Sequence, residues 1–231
     1  MNRLFRIVGL LIFVVVVALV YVVGFWRPGL FLAKTNIGHQ LGGDIFADIS
    51  GNTLEALEAG LSKHESSAQW RYAECDIRET RDHQLIVFHD WDISAVPDSA
   101  ENRTALGQPV AGQAICDLTH EQLQGLKLKC GYGIPTLEEV LQAAVTAKPQ
   151  KPLLLEVKYL HSDQGRRQLL ELAKRYRDSS EVEIHFLGFI RNIARSFPEP
   201  ELWLKQCAEE KFRVYQVYRP KTADYDLCTQ W

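Results

Sequence analysis

The sequence has no Cys-x-x-Cys pair, no internal repeat, no low-complexity stretch and, beyond residue 30, no surplus of positive charge. The missing cysteine spacing argues against a zinc ribbon. The missing repeat argues against a stacked array, and 231 residues suit one domain with at most an appendage. The net charge is −3, and residues 1–30 hold three arginines and no acid, which leaves −6 for the remainder. No nucleic-acid partner is expected, because such binding needs clustered positive charge. The charged run RRQLLELAKRYR at 166–177 reads as the solvated face of a helix. Five cysteines stand at 75, 116, 130, 207 and 228. In an oxidising compartment Cys116 could pair with Cys130, or Cys207 with Cys228; five unpaired thiols is the alternative.

Charge is also missing from residues 7–26, IVGLLIFVVVVALVYVVGFW. At about 1.5 Å per residue, such a helix spans roughly 30 Å, the thickness of a bilayer's hydrocarbon core. The run is longer than a signal-peptide core of about 7–15 residues, and Gly24-Phe25-Trp26-Arg27 makes a poor cleavage site. The expectation is an uncleaved anchor in residues 1–30, a single-pass membrane protein, and a domain over 35–231 outside the cytoplasm, periplasmic in a bacterium.

The remainder alternates strands and helices, which predicts an α/β domain with a mainly parallel sheet. Six strands are expected, beginning near residues 36, 72, 85, 153, 182 and 212. The first, 36–39, is followed by a Gly-rich loop and by a helix capped at Asn52-Thr53. A capping box is expected at Thr119 and Gln122 in an otherwise irregular stretch, 91–133.

Side chains alternate across a strand, so Glu74 and Asp76 share one face and Cys75 takes the other. Glu156 and Lys158 share a face by the same rule. In parallel sheets of this class, sites form at the C-terminal ends of strands, where these residues lie together with His39 and His89. Carboxylate oxygens suit hard cations, Mg²⁺ or Ca²⁺. Two histidines suit general acid–base work, and a lysine can neutralise a phosphate oxygen. Together the parts predict metal-assisted phosphoryl transfer. His64, His83, His120 and His161 read as solvated residues, and His185 as a satisfied core residue.

The segments IGHQLGG, GNTLEAL, YAECDIRETRDHQLIVFHD, NRT, LTHEQLQGL, IPTLEEVL and LLLEVK follow in that order through residues 36–158. They resemble the glycerophosphodiester phosphodiesterases, TIM-barrel enzymes of the phospholipase-C-like group. The resemblance implies a (β/α)8 barrel that hydrolyses a glycerophosphodiester or a related lipid-derived diester. It implies His39 and His89 as the acid–base pair, Glu74, Asp76 and Glu156 as ligands of a divalent metal, and Lys158 as a phosphate contact. The chain departs from the family in two respects. It reads His39-Gln40-Leu41 where His-Arg-Gly is usual, so Gln40 brings dipolar donors to the phosphate without charge. And only about 200 residues follow the apolar run, the lower edge for such a barrel, so the barrel is expected to be incomplete at its C-terminus. Strands 36–39 and 212–218 would then be open edges through which copies could self-associate. Two other readings stand beside turnover: a degenerate barrel that binds a phospho-ligand or partner, and a phospholipase acting on intact lipid diesters.

Overall fold

The computed structural model describes residues 12–16, 31–45 and 48–231. Among them no helix is long and apolar enough to cross a membrane. The span expected at 7–26 lies outside the described residues except for 12–16, which are helical with exposed apolar side chains.

Seven strands form one sheet: β1 (Phe31–Leu32), β2 (Ala73–Glu79), β3 (Leu85–Val87), β4 (Leu153–Tyr159), β5 (Ile184–Phe189), β6 (Val214–Tyr218) and β7 (Leu227–Gln230). Their order is β1-β7-β6-β5-β4-β2-β3. The pairs β2–β4, β4–β5 and β5–β6 are parallel, and β2–β3, β6–β7 and β1–β7 are antiparallel. Helices α1 (Leu54–His64), α2 (Ala100–Leu106), α3 (His120–Gln124), α4 (Leu137–Ala147), α5 (Asp163–Asp178), α6 (Ile190–Ser196) and α7 (Pro200–Glu209) fill the connections. The expected capping box at α3 is formed, and Thr136 and Glu139 make a second one that starts α4. Two orphan N–H groups are satisfied at each.

The sheet's two faces differ. Cys75, Ile77, Leu155, Val157 and Phe186 face the helices and pack with Leu57, Val140, Leu141, Leu169 and Leu172. Burying each such leucine contributes about 1.5–3 kcal/mol. The other face is layered along the strands. Tyr72, Leu154, Leu187 and Tyr215 make an apolar floor. Glu74, Asp76 and Glu156 follow in strand direction, and Arg78 and Lys158 follow them.

Two expectations fail. Residues 36–39 form no strand. The Asn36 side chain instead bridges to Tyr72 O and to the amides of Arg71 and Tyr72, and Glu74 N donates to Gly38 O at 2.9 Å. Gln40, Leu41 and Gly42 then take φ of 47°, 61° and 90°. Three successive left-handed residues cannot continue a strand; they turn the chain across the end of β2. Position 38 must be glycine, because a Cβ there would lie 2.0 Å from Tyr72 O. The second failure is the open edge at 212–218. The C-terminal tail forms β7 along β6, pairing Tyr215 with Gln230 and Tyr218 with Leu227. Self-association through that edge therefore has no support. The sheet ends in two short strands, β1 and β3, a common way to blunt edges. All five cysteines are unpaired, with Cys75, Cys207 and Cys228 buried.

Candidate active site

The register of β2 against β4 sets Asp76 beside Glu156 and Glu74 beside Leu154. Glu74, Asp76 and Glu156 thus meet on the inner face, with one oxygen of each within 4.8 Å of the others. All three are buried, at 1%, 0% and 4% exposure. Three carboxylates buried together repel one another unless something positive joins them. Lys158 is part of the answer: its Nζ lies 2.6 Å from Glu156 Oε1 and 2.9 Å from Asp76 Oδ1. Asn52 is another part. Its amide donates to Asp76 Oδ2 at 2.6 Å, and its Oδ1 accepts from Asp76 N at 3.1 Å. Gln40 N donates to Glu74 Oε2 at 2.9 Å. Glu74 Oε1 is buried and has no hydrogen-bond partner.

The titration directions follow from this arrangement. Burial, and then the neighbouring Asp76, push Glu74 well above the usual carboxylate range. Burial also raises Glu156, although Lys158 opposes it. Burial would raise Asp76 too, but Lys158, His89 and the Asn52 hydrogen bond outweigh it and hold that carboxyl low. Lys158 is raised: burial opposes its charge, and the surrounding carboxylates more than restore it.

The residue set fits a hard divalent cation. It offers three carboxylates from two adjacent strands, an excess of negative charge over Lys158, and a buried Glu74 oxygen with no hydrogen-bond partner. The two histidines flank it. His39 Nε2 lies 3.8 Å from Glu74 Oε2. His89, two residues beyond β3, lies near enough to Asp76 to help hold its carboxyl low, with Nδ1 2.8 Å from Asp90 Oδ1.

The profile of the Glycerophosphoryl diester phosphodiesterase family matches residues 45–227. The chain belongs to that family. No curated protein matches it. Among solved structures, the glycerophosphodiester phosphodiesterase from Parabacteroides distasonis superposes with a TM-score of 0.52 at 22% identity, covering 73% of this chain and 58% of that one. The enzyme from Agrobacterium tumefaciens gives a TM-score of 0.52 at 17% identity, covering 76% and 63%. These likenesses concern the fold, and the chain spans about three fifths of the length of those structures.

In this phosphodiesterase-family chain, every residue expected at the site lies around one cluster except for the side chain of Gln40. That side chain rests against Gly51, where a Cβ would come 2.4 Å from its Oε1, and its backbone N–H serves Glu74. Two residues of the site lay outside the sequence reading. Arg78 donates through Nε and Nη2 to His89 O at 3.1 and 2.7 Å, which fixes the histidine's backbone. The strand rule that pairs Glu74 with Asp76 extends to Arg78, so that signal was present. Asn52 had only a capping signal, 24 residues before Asp76.

A second group, Glu79, His83 and His161, also brings ligand-type atoms together. Its atoms are already engaged. Glu79 accepts from His161 N at 2.7 Å, Ser162 N at 3.0 Å and Ser162 Oγ, with His83 Nδ1 at 2.8 Å. His161 Nε2 lies 3.0 Å from Thr80 O. This group anchors the start of α5, so His83 and His161 are partnered rather than merely solvated. His185 is buried and satisfied by Glu183 and Arg213 N, as expected.

Proposed function

We propose that this chain hydrolyses a glycerophosphodiester to an alcohol and a glycerol phosphate. The observation that carries the reading is the buried Glu74–Asp76–Glu156 cluster with an orphaned oxygen, flanked by His39 and His89. A Mg²⁺ or Ca²⁺ would be held by the three carboxylates and would supply positive charge at the phosphoryl group, lowering the pKa of the attacking hydroxyl. One histidine takes the proton of the glycerol hydroxyl as its oxygen bonds to phosphorus. The other gives a proton to the departing alcohol oxygen as the P–O bond breaks. The roles reverse when water opens the cyclic phosphate. Lys158 stands at the rim of the cluster, where it meets a phosphate oxygen, while Gln40, expected as a second phosphate contact, turns its side chain against Gly51 and gives its backbone N–H to Glu74. The test is turnover of glycerophosphocholine and glycerophosphoethanolamine by the purified domain with added cation. Glycerol phosphate should be released; cation binding without release from these or from an anionic glycerophosphodiester would point to a degenerate, ligand-binding barrel.

The reading includes an anchor in residues 1–30, spanning about 7–26, that holds domain 35–231 at the outer face of a membrane. A C-terminal phosphatase reporter should be active in a bacterial host, and the membrane-bound protein should keep its full-length mass. A soluble product starting between residues 27 and 34 would overturn the anchor.

A further inference from the structure

Beside the carboxylate cluster lies a pocket of about 420 Å³, lined by Arg78, His89, Trp91, Lys158, Arg191 and Arg195 among others. That volume is within the roughly 300–1,000 Å³ usual for small-molecule sites. Lys158 and His89 belong to both spaces, so a group joined to the reacting phosphorus reaches this pocket directly. The fold builds it in two ways. The register between β2 and β4 slips after Ile77↔Val157 to Arg78↔Tyr159, and the bulge lets the successive residues Lys158 and Tyr159 line one pocket. Helix α6 begins where β5 ends and adds Arg191, Asn192 and Arg195.

The lining contains four fixed positive charges and no acid, in a chain whose net charge is −3. Arg78 and Lys158 are occupied, the first by His89 O and the second by Glu156 and Asp76. Arg191 and Arg195 are exposed, and among the described residues neither forms an ion pair with an acid. The Trp91 and Phe189 rings already carry cations, Arg78 at 5.8 Å from the Trp91 ring centre and Lys158 and Arg191 at 5.9 and 5.7 Å from that of Phe189, and Tyr159 packs on Trp91 with ring centres 5.0 Å apart. A quaternary ammonium would need those faces free and would meet like charge. A single diester phosphate, already served by the cluster and Lys158, does not use two further guanidinium groups.

We infer that the substrate's leaving alcohol is itself anionic, carrying a phosphate group that Arg191 and Arg195 bind. The inference rests on the phosphodiesterase reading and names the substrate class for it.

The test compares glycerophosphoinositol with glycerophosphoinositol 4-phosphate, which differ only in that group, in the wild type and in R191E/R195E. Charge-assisted hydrogen bonds predict kcat/KM about 10–100-fold higher for the phosphorylated diester, a preference that falls with added salt. The preference should vanish in R191E/R195E, whose fold is checked by its thermal melt, and weaken in R191Q/R195Q. Equal kcat/KM for the two diesters in the wild type, or an unchanged preference in R191E/R195E, would overturn the inference. The same two diesters are also titrated calorimetrically. If neither is cleaved, the phosphodiesterase reading fails on its own; tighter binding of the phosphorylated one, lost in R191E/R195E, still upholds the anion pocket, and equal binding rejects it.

Discussion

Replacing His39 or His89 with alanine is expected to cut kcat by about 10²–10⁴-fold on a diester with a poor leaving group. Cation affinity should stay nearly unchanged, because neither ring is needed as a ligand. His39 stands beside Glu74 and His89 lies near enough to Asp76 to act on its charge, and the attacking and departing oxygens of an in-line displacement each need a proton partner. Asp90 engages His89 Nδ1, which leaves Nε2 as the working nitrogen. A poor leaving group makes the need for the acid largest, so one of the two variants should lose less on an activated aryl diester, and that one marks the general acid. Wild-type kcat in either variant on the poor-leaving-group substrate would remove that residue from proton transfer.

Glu74→Gln is expected to weaken Mg²⁺ or Ca²⁺ binding by more than about 100-fold, with activity falling in parallel. Loss of a group that only orients a ligand typically costs about 10–100-fold, and loss of the ligand itself should exceed that. Asn52→Gly supplies the milder comparison. Asn52 has φ of 60°, so glycine keeps the left-handed backbone while the bonds to Asp76 disappear. Its affinity should fall by about 10–100-fold. The pH dependence has a definite sign. Glu74 and Glu156 are both raised by burial, so protons compete with the cation for them. Affinity should rise as pH increases through their elevated range and fall as pH drops through it. Asp76 is held low and stays ionised across that window. Calorimetric titrations at pH 5 and pH 8 check this; equal affinity at both, or wild-type affinity in Glu74→Gln, would separate the cation from these carboxylates.

Much of the site was legible because strand periodicity is a local rule. Glu74, Asp76, Glu156 and Lys158 needed only alternation along two strands, and Arg78 would have followed from the same alternation. Asn52 was not legible, because its partner is Asp76 across a whole helix and turn, and its neighbour Thr53 explains the segment as a cap. The strand expected at 36–39 failed for a different reason. Gln40 and Leu41 take left-handed conformations that their residue types do not announce, and the tertiary bonds of Asn36 and Gly38 stabilise them. β7 was hidden because its four residues, Leu-Cys-Thr-Gln, carry little strand signal without β6 beside them.

The most direct test of the account strips the purified domain with EDTA and returns Mg²⁺ or Ca²⁺ stepwise, measuring glycerol phosphate release and cation occupancy on the same sample. The stripped protein should release none, and activity should climb in proportion to filling of one site, with that site lost in Glu74→Gln. Full activity in EDTA, or an occupied site with no release, would contradict it.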